Sequence, residues 1–225
     1  MGEVIALFPL SSVLLPGMPL PLHIFEHRYR QLLDDLADAR PGARFGVVVL
    51  RSGTETLRAD GSPAAPDVAK VGTLAEILEV QRKDDGTSDV LTVGSRRFQV
   101  ESLIPEGKPY LRAEVRFLDE DSGVLDDDRA GHARELITAY DRLLIRLAGR
   151  GTGGELPADP SQLAYQIAAR LPLLPSDRQS LLEVETTAER VARLNRMLRR
   201  ELGLLRHTRT IAVAPAVATL VAGPN

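Results

Sequence analysis

Cysteine is absent from the 225 residues, and so is tryptophan. A chain without thiols has no disulfide, no cysteine nucleophile and no zinc site of the cysteine kind, so its fold must rest on burial. A chain of this length can bury enough surface for that. Lysine is almost missing: only Lys70, Lys83 and Lys108 stand among the 28 basic residues, and the rest are Arg. The net charge of −3 gives no overall attraction to nucleic acid. No apolar run reaches the ~20 residues of a membrane-spanning helix. The opening MGEVIALFPL lacks the basic start and long apolar core of a secretory signal. The expectation is a soluble, cytoplasmic protein.

Several chemical motifs are missing as well. There is no G-x-x-x-x-G-K-[ST] phosphate loop, no G-x-S-x-G elbow and no H-E-x-x-H. Gly149, Gly151 and Gly154 match G-x-G-x-x-G on paper, but a helical pattern precedes them and the polar ELPADP follows. A dinucleotide site needs a strand before the glycines and a helix N-terminus after them, so this is a helix stop and linker. His23 and His27 are four apart but belong to a strand and to a helix start, which points to packing or surface roles. The acid-rich run Asp119 to Asp128 lacks the ligand order of a calcium loop and reads as a solvated linker between two parts. No cofactor, metal or catalytic residue is expected.

What the sequence does have is concentrated between Phe8 and Leu36. Leu15-Pro16-Gly17 has Pro and Gly where a type II turn needs them, so the chain reverses there. Met18 to Ile24 carries Pro19 and Pro21, two missing donors that can face the same way, which predicts an edge strand. Tyr29, Leu32, Leu33 and Leu36 then share one helix face, up to Pro41-Gly42. Phe45 to Leu50 is a buried-strand pattern, followed by a long polar loop from Ser52 to Asp67. The run from Val71 to Arg82 fits either a strand or a helix on spacing, but Asp85-Gly86 followed by DVLTVGSRRFQV favours a hairpin. Gly94 marks a bend, and Leu111 to Phe117 alternates as a half-buried strand. Six strands are predicted up to Leu118.

Beyond Asp128 the pattern is helical. Ala133 to Leu147 is one amphipathic stretch, and Asp159-Pro160 opens a second with an N-cap and a first-turn proline. Ser176 with Gln179 and Thr186 with Glu189 have capping-box spacing and predict two more helices. The last carries Val191, Leu194, Leu198, Leu202 and Leu205 on one face.

The run PLSSVLLPGMPLPLHIFEHRYRQLL, with RFGVVVL at Arg44 to Leu50 and VGTLAEILEV at Val71 to Val80, resembles the N-terminal substrate-binding domain of Lon-type ATP-dependent proteases. It is most similar to the stand-alone bacterial versions. The likeness extends from about Ile5 to about Leu205. It implies an α+β fold in which residues 1–122 form a six-stranded, β-rich, PUA-like pseudo-barrel with one helix. Residues 123–209 would form a four-helix bundle, and residues 210–225 an apolar tail.

The same resemblance implies a non-catalytic module that recognises proteins or unfolded peptide segments, since Lon's ATPase and peptidase centres lie in other domains. The proline-bearing strand is the expected contact, through Met18, Leu20, Leu22, His23 and Phe25. The apolar tail offers a route to homo-oligomers, and no membrane contact is expected. Two other readings stay open. One is an ATP-independent hydrolase with unrecognised residues. The other is nucleic-acid binding through Arg190, Arg193, Arg196, Arg199, Arg200, Arg206 and Arg209 of the last helix, which no aromatic stacking motif accompanies.

Overall fold

The computed structural model describes residues 2–37, 42–51, 66–104, 106–123, 127–208 and 220–221. The fold is mixed α+β, as expected, and it divides into two compact units, Met1–Asp119 with Val217–Asn225, and Glu120–Ala216. The loop at residues 52–65 and most of the tail lie outside the described residues. No described helix is long and apolar enough to cross a membrane.

The first unit holds β1 (Glu3–Leu10), β2 (Pro19–Ile24), α1 (His27–Ala37), β3 (Arg44–Val49), β4 (Val71–Arg82), β5 (Ser88–Ile104) and β6 (Arg112–Phe117). A two-residue β7 (Leu220–Val221) joins from the far end of the chain. The strands follow the order β4-β3-β1-β6-β5-β2-β7, and a further pairing of β4 with β5 closes the first five into a ring. β1 runs parallel to β3 and antiparallel to β6. The 17-residue β5 is long enough to serve three partners, β4, β6 and β2, with irregularities in register where it bends.

Period-two patterning explains which faces close on the core. Leu20, Leu22 and Ile24 of β2 are buried, as are Leu7, Phe8, Phe45, Phe98 and Val115. Burying a side chain of this size is worth about 1.5–3 kcal/mol. Helix α1 is placed on this core by Tyr29, Leu32 and Leu33. Its Tyr29 ring stacks on Phe8 with centroids 4.0 Å apart.

The predicted turn is present: Gly17 has φ of 74° and the Met18 N–H donates to the Leu15 carbonyl over 3.0 Å. It does not make a hairpin, because β6 and β5 lie between β1 and β2 in the sheet. The apolar residues before it, Val13 to Leu15, are buried without being a strand, and the Thr73 hydroxyl donates to the Leu14 carbonyl instead. β2 is not the outermost strand either. Its two prolines leave the outer side without donors at Pro19 and Pro21, and β7 pairs just beyond them, at Leu22 and His23. The β4–β5 hairpin turns at Gly86, whose φ is 79°.

The second unit contains α2 (Asp127–Ala148), α3 (Pro160–Arg170), α4 (Pro175–Glu183) and α5 (Thr187–Thr208). The other three helices all pack on α5. Gly149 stops α2 with φ of 72°, as the linker reading of the glycine run requires. Asp159 caps α3 through the Gln162 N–H at 2.8 Å, and Thr186 caps α5 through the Glu189 N–H at 3.2 Å. The predicted cap at Ser176 is a correction. α4 starts two residues earlier, with Pro175 in its first turn and Leu174 at the cap position without a side-chain bond. Proline has no N–H to be capped and its φ already suits a helix, so it displaces the serine from that role. Gln179 bonds to Glu183 instead.

Candidate functional site

β2 and its surroundings carry the expected site. The Gly94 N–H donates to the Met18 carbonyl, and the Thr92 hydroxyl donates to the Leu20 carbonyl. The backbone groups of the even-numbered residues therefore point at β5. Those of Pro19, Pro21 and His23 alternate to the opposite edge. That edge offers carbonyls along its length, and His23 supplies the first N–H.

The side chains divide in the same alternating way. Met18, Leu20 and Leu22 are buried in the core, so what they present to a partner is backbone. His23 and Phe25 are partly exposed, with ring centroids 6.1 Å apart. The outward face also shows exposed Pro19, half-buried Pro21 and, opposite Pro21 on β5, Leu91. Leu91 is 38% exposed and Leu78 on the neighbouring β4 is 61% exposed, so apolar surface spreads across three strands.

One end of this face is polar. His23 Nδ1 lies 2.7 Å from Asp89 Oδ1, and Lys83 Nζ lies 2.7 Å from Asp89 Oδ2. The Lys83 bond first, and then the His23 bond, hold the Asp89 carboxyl below its ordinary pKa. Ser88, the register partner of Ile24, also lines an open cleft of about 250 Å³ with His27, Arg30, Asp34 and Arg82. Arg82 Nη1 donates to Asp34 in that cleft over 2.8 Å.

Residues singled out for other chemistries are dispersed. His23 meets Asp89, His132 meets Arg199 and Glu135, and His207 meets the Gly203 carbonyl. Lys108 meets Asp35. Among the described residues no Ser or Thr hydroxyl is hydrogen-bonded to a His or a Lys, and no cluster of His, Asp and Glu could hold a metal ion.

The arginine stripe of α5 is not one surface. Arg190 is fully buried, with Nη1 2.8 Å from Glu120, Nε and Nη2 on the Leu181 and Val184 carbonyls, and its guanidinium 4.6 Å from the Tyr165 ring centroid. Arg193 pairs with Glu189, and Arg200 with Asp177 and Glu201. Helical spacing could not reveal this. The partner carboxylate of Arg190 is 70 residues away in sequence.

Fold and site together define a mixed α+β domain whose sheet presents a partly donor-free strand edge beside exposed apolar residues. The family model for the ATP-dependent protease La (LON) substrate-binding domain matches residues 4–200. The chain belongs to this family. Curated relatives include Lon protease 2 of Desulfotalea psychrophila, 29% identical over 95% of this chain and 27% of that protein. Lon protease of Escherichia coli K12 is 28% identical over 89% of this chain and 25% of that protein. The chain thus spans about a quarter of the length of the curated relatives it matches. Among solved structures, the Lon N-terminal domain protein from Xanthomonas campestris is 28% identical with a TM-score of 0.61, covering 85% of this chain and 96% of that one. The N-terminal domain of Mycobacterium avium complex Lon protease, at 19% identity and a TM-score of 0.60, shares the fold and covers 89% and 98%.

Proposed function

We propose that this chain is a non-catalytic recognition module that binds unfolded or extended segments of client proteins, with the outer side of β2 as the contact. The observation that carries the reading is the apolar band of exposed Pro19 and Leu91 and half-buried Pro21 beside an edge of outward-facing carbonyls. An unfolded segment supplies both complements, backbone N–H groups and apolar side chains, whereas a native surface has already spent its N–H groups on its own structure. The family's description as a substrate-binding domain supports the same assignment.

In this reading the contact residues are Pro19, Pro21, Leu91, His23 and Phe25, with Met18, Leu20 and Leu22 holding the strand from beneath. The PUA-like pseudo-barrel, the four-helix bundle, a cytoplasmic location and homo-oligomers through the tail belong to the same proposal. The ring of five strands and the helices around α5 support the first two, and the lack of cysteine supports the third. Binding of carboxymethylated, permanently unfolded lactalbumin, measured beside native lactalbumin, tests the reading. Preferential binding of the unfolded form is expected. Equal absence of binding to both would overturn it.

A further inference from the structure

We propose that the outer edge of β2 is a strand-addition site for extended, uncharged, apolar segments lying parallel to it, and that the chain's own Leu220–Val221 is the occupant such segments displace. This rests on the client-binding reading and specifies its geometry.

The first observation is the pairing itself. β7 lies parallel to β2 with Leu22 opposite Leu220 and His23 opposite Val221. A parallel partner at this position can use the outward Pro21 carbonyl and the outward His23 N–H. Two residues of pairing contribute little, since a hydrogen bond is worth a net ~1 kcal/mol, so the occupant is replaceable. The second observation is where β7 sits. The stretch at Pro19 and Pro21 supplies no donor, so a parallel strand can anchor only at the end where His23 begins, and β7 is found there. The third is composition: Thr210 to Asn225 contains no charged side chain and is built largely of Ala and Val, which matches the apolar band beside the edge. A client segment of the same kind would take the same register. An edge covered by its own chain is also protected from pairing with other copies while no client is present.

Intramolecular competition makes the proposal measurable. With an effective tail concentration on the order of 1 mM and a peptide affinity on the order of 100 µM, the tail should weaken apparent peptide binding about ten-fold. The probe is a fluorescein-labelled peptide with the sequence of residues 216–225, titrated with the full chain and read by anisotropy. Leu220→Pro, which removes the N–H at the paired position, should bind it about ten-fold more tightly than the parent, and Leu220→Ala should stay near the parent.

Because the chain has no cysteine, the double variant H23C/V221C adds a lock across the register pair. Oxidation should close an intramolecular disulfide and suppress peptide binding, and reduction should restore it. Equal affinity of parent and Leu220→Pro would overturn the proposal. So would a disulfide that joins two copies, which would make a second chain the occupant. If unfolded lactalbumin binds every variant alike while the peptide does not respond, only the edge assignment falls. If neither probe binds any variant, the client-binding reading falls with it.

Discussion

Gly17 donates its N–H to the carbonyl of Gly94 over 2.7 Å, so the turn that opens β2 is fastened directly to the middle of β5. The Gly94 N–H returns a bond to the Met18 carbonyl at 2.9 Å. The approach is close enough that a Cβ on Gly94 would lie 2.3 Å from the Leu15 carbonyl oxygen. Gly94→Ala should therefore destabilise the protein by about 3 kcal/mol, because backbone has to move on one side or the other. Gly131→Ala is the control. Gly131 is inside α2 with open space around it, and alanine there should add up to about 1 kcal/mol. Chemical denaturation midpoints of the two variants should move in opposite directions.

Position 17 tests the same contact from the turn side. With φ of 74°, Gly17→Val should cost on the order of 1–3 kcal/mol, while Gly17→Asn, which tolerates positive φ better, should cost less. Thermal unfolding of the two variants beside the parent measures the difference. Equal melting of all three would remove the turn from the account of this fold.

Arg190 lies inside the second unit, where its guanidinium donates to Glu120 and to the Leu181 and Val184 carbonyls, and to the Thr187 hydroxyl at the longer distance of 3.5 Å. Arg190→Ala takes this donor from two carbonyls and leaves Glu120 with Ser161 and Tyr165 as donors, and should destabilise that unit by about 3 kcal/mol. Arg190→Lys keeps the charge but cannot reproduce the planar fork, so it should recover only part of the loss. Amide hydrogen exchange in α4 and α5 reads both effects, and protection unchanged in Arg190→Ala would contradict them.

Asp35 accepts hydrogen bonds from Tyr110 at 2.6 Å, Lys108 at 2.9 Å and Gln31 at 3.0 Å. The Tyr110 bond is the largest cause of a carboxyl pKa lowered to about 2. A folded-state pKa below the unfolded value gives stability that is present above about pH 4 and lost as pH falls toward 2. Tyr110 is raised to about 12, chiefly by burial and then by the Asp35 bond. Raised above its ordinary value of 10.0, it gives stability that is present below pH 10 and lost as pH rises toward 12. Asp35→Asn should flatten the acid side of a plot of melting temperature against pH, and Tyr110→Phe the alkaline side. An acid limb identical in parent and Asp35→Asn would refute the assignment.

Local chemistry was legible in the sequence wherever the deciding groups are neighbours along it. The Leu15-Pro16-Gly17 turn, the Asp159 cap with Pro160, the Asp85-Gly86 hairpin and the Gly149 stop each depend on a few consecutive residues. What could not be read depends on partners far along the chain. Arg190 has the spacing of a surface stripe and goes inward because Glu120 meets it there. Gly94 looked like a bend, and the reason for its glycine is the Leu15 carbonyl. Pro19 and Pro21 correctly signalled a side of β2 without donors, but nothing local could say that Leu220 would pair beyond them. The candidate site was half legible for the same reason. Alternation names Leu20 and Leu22 as partners of one face, and only the completed sheet shows that this face is the core.

Within the ring, Glu3 pairs with Val115, which joins the first and the last of its five strands to be synthesised. At about 5–20 residues per second, synthesis separates those two strands by on the order of ten seconds. Throughout that interval the β6-facing side of β1 has no mate to pair with, even after β3, its parallel neighbour, has been made. The nascent chain therefore spends its most adhesive moments before this ring of strands can shut, and the speed of translation, rather than the stability of the finished fold, sets how long that edge stays open.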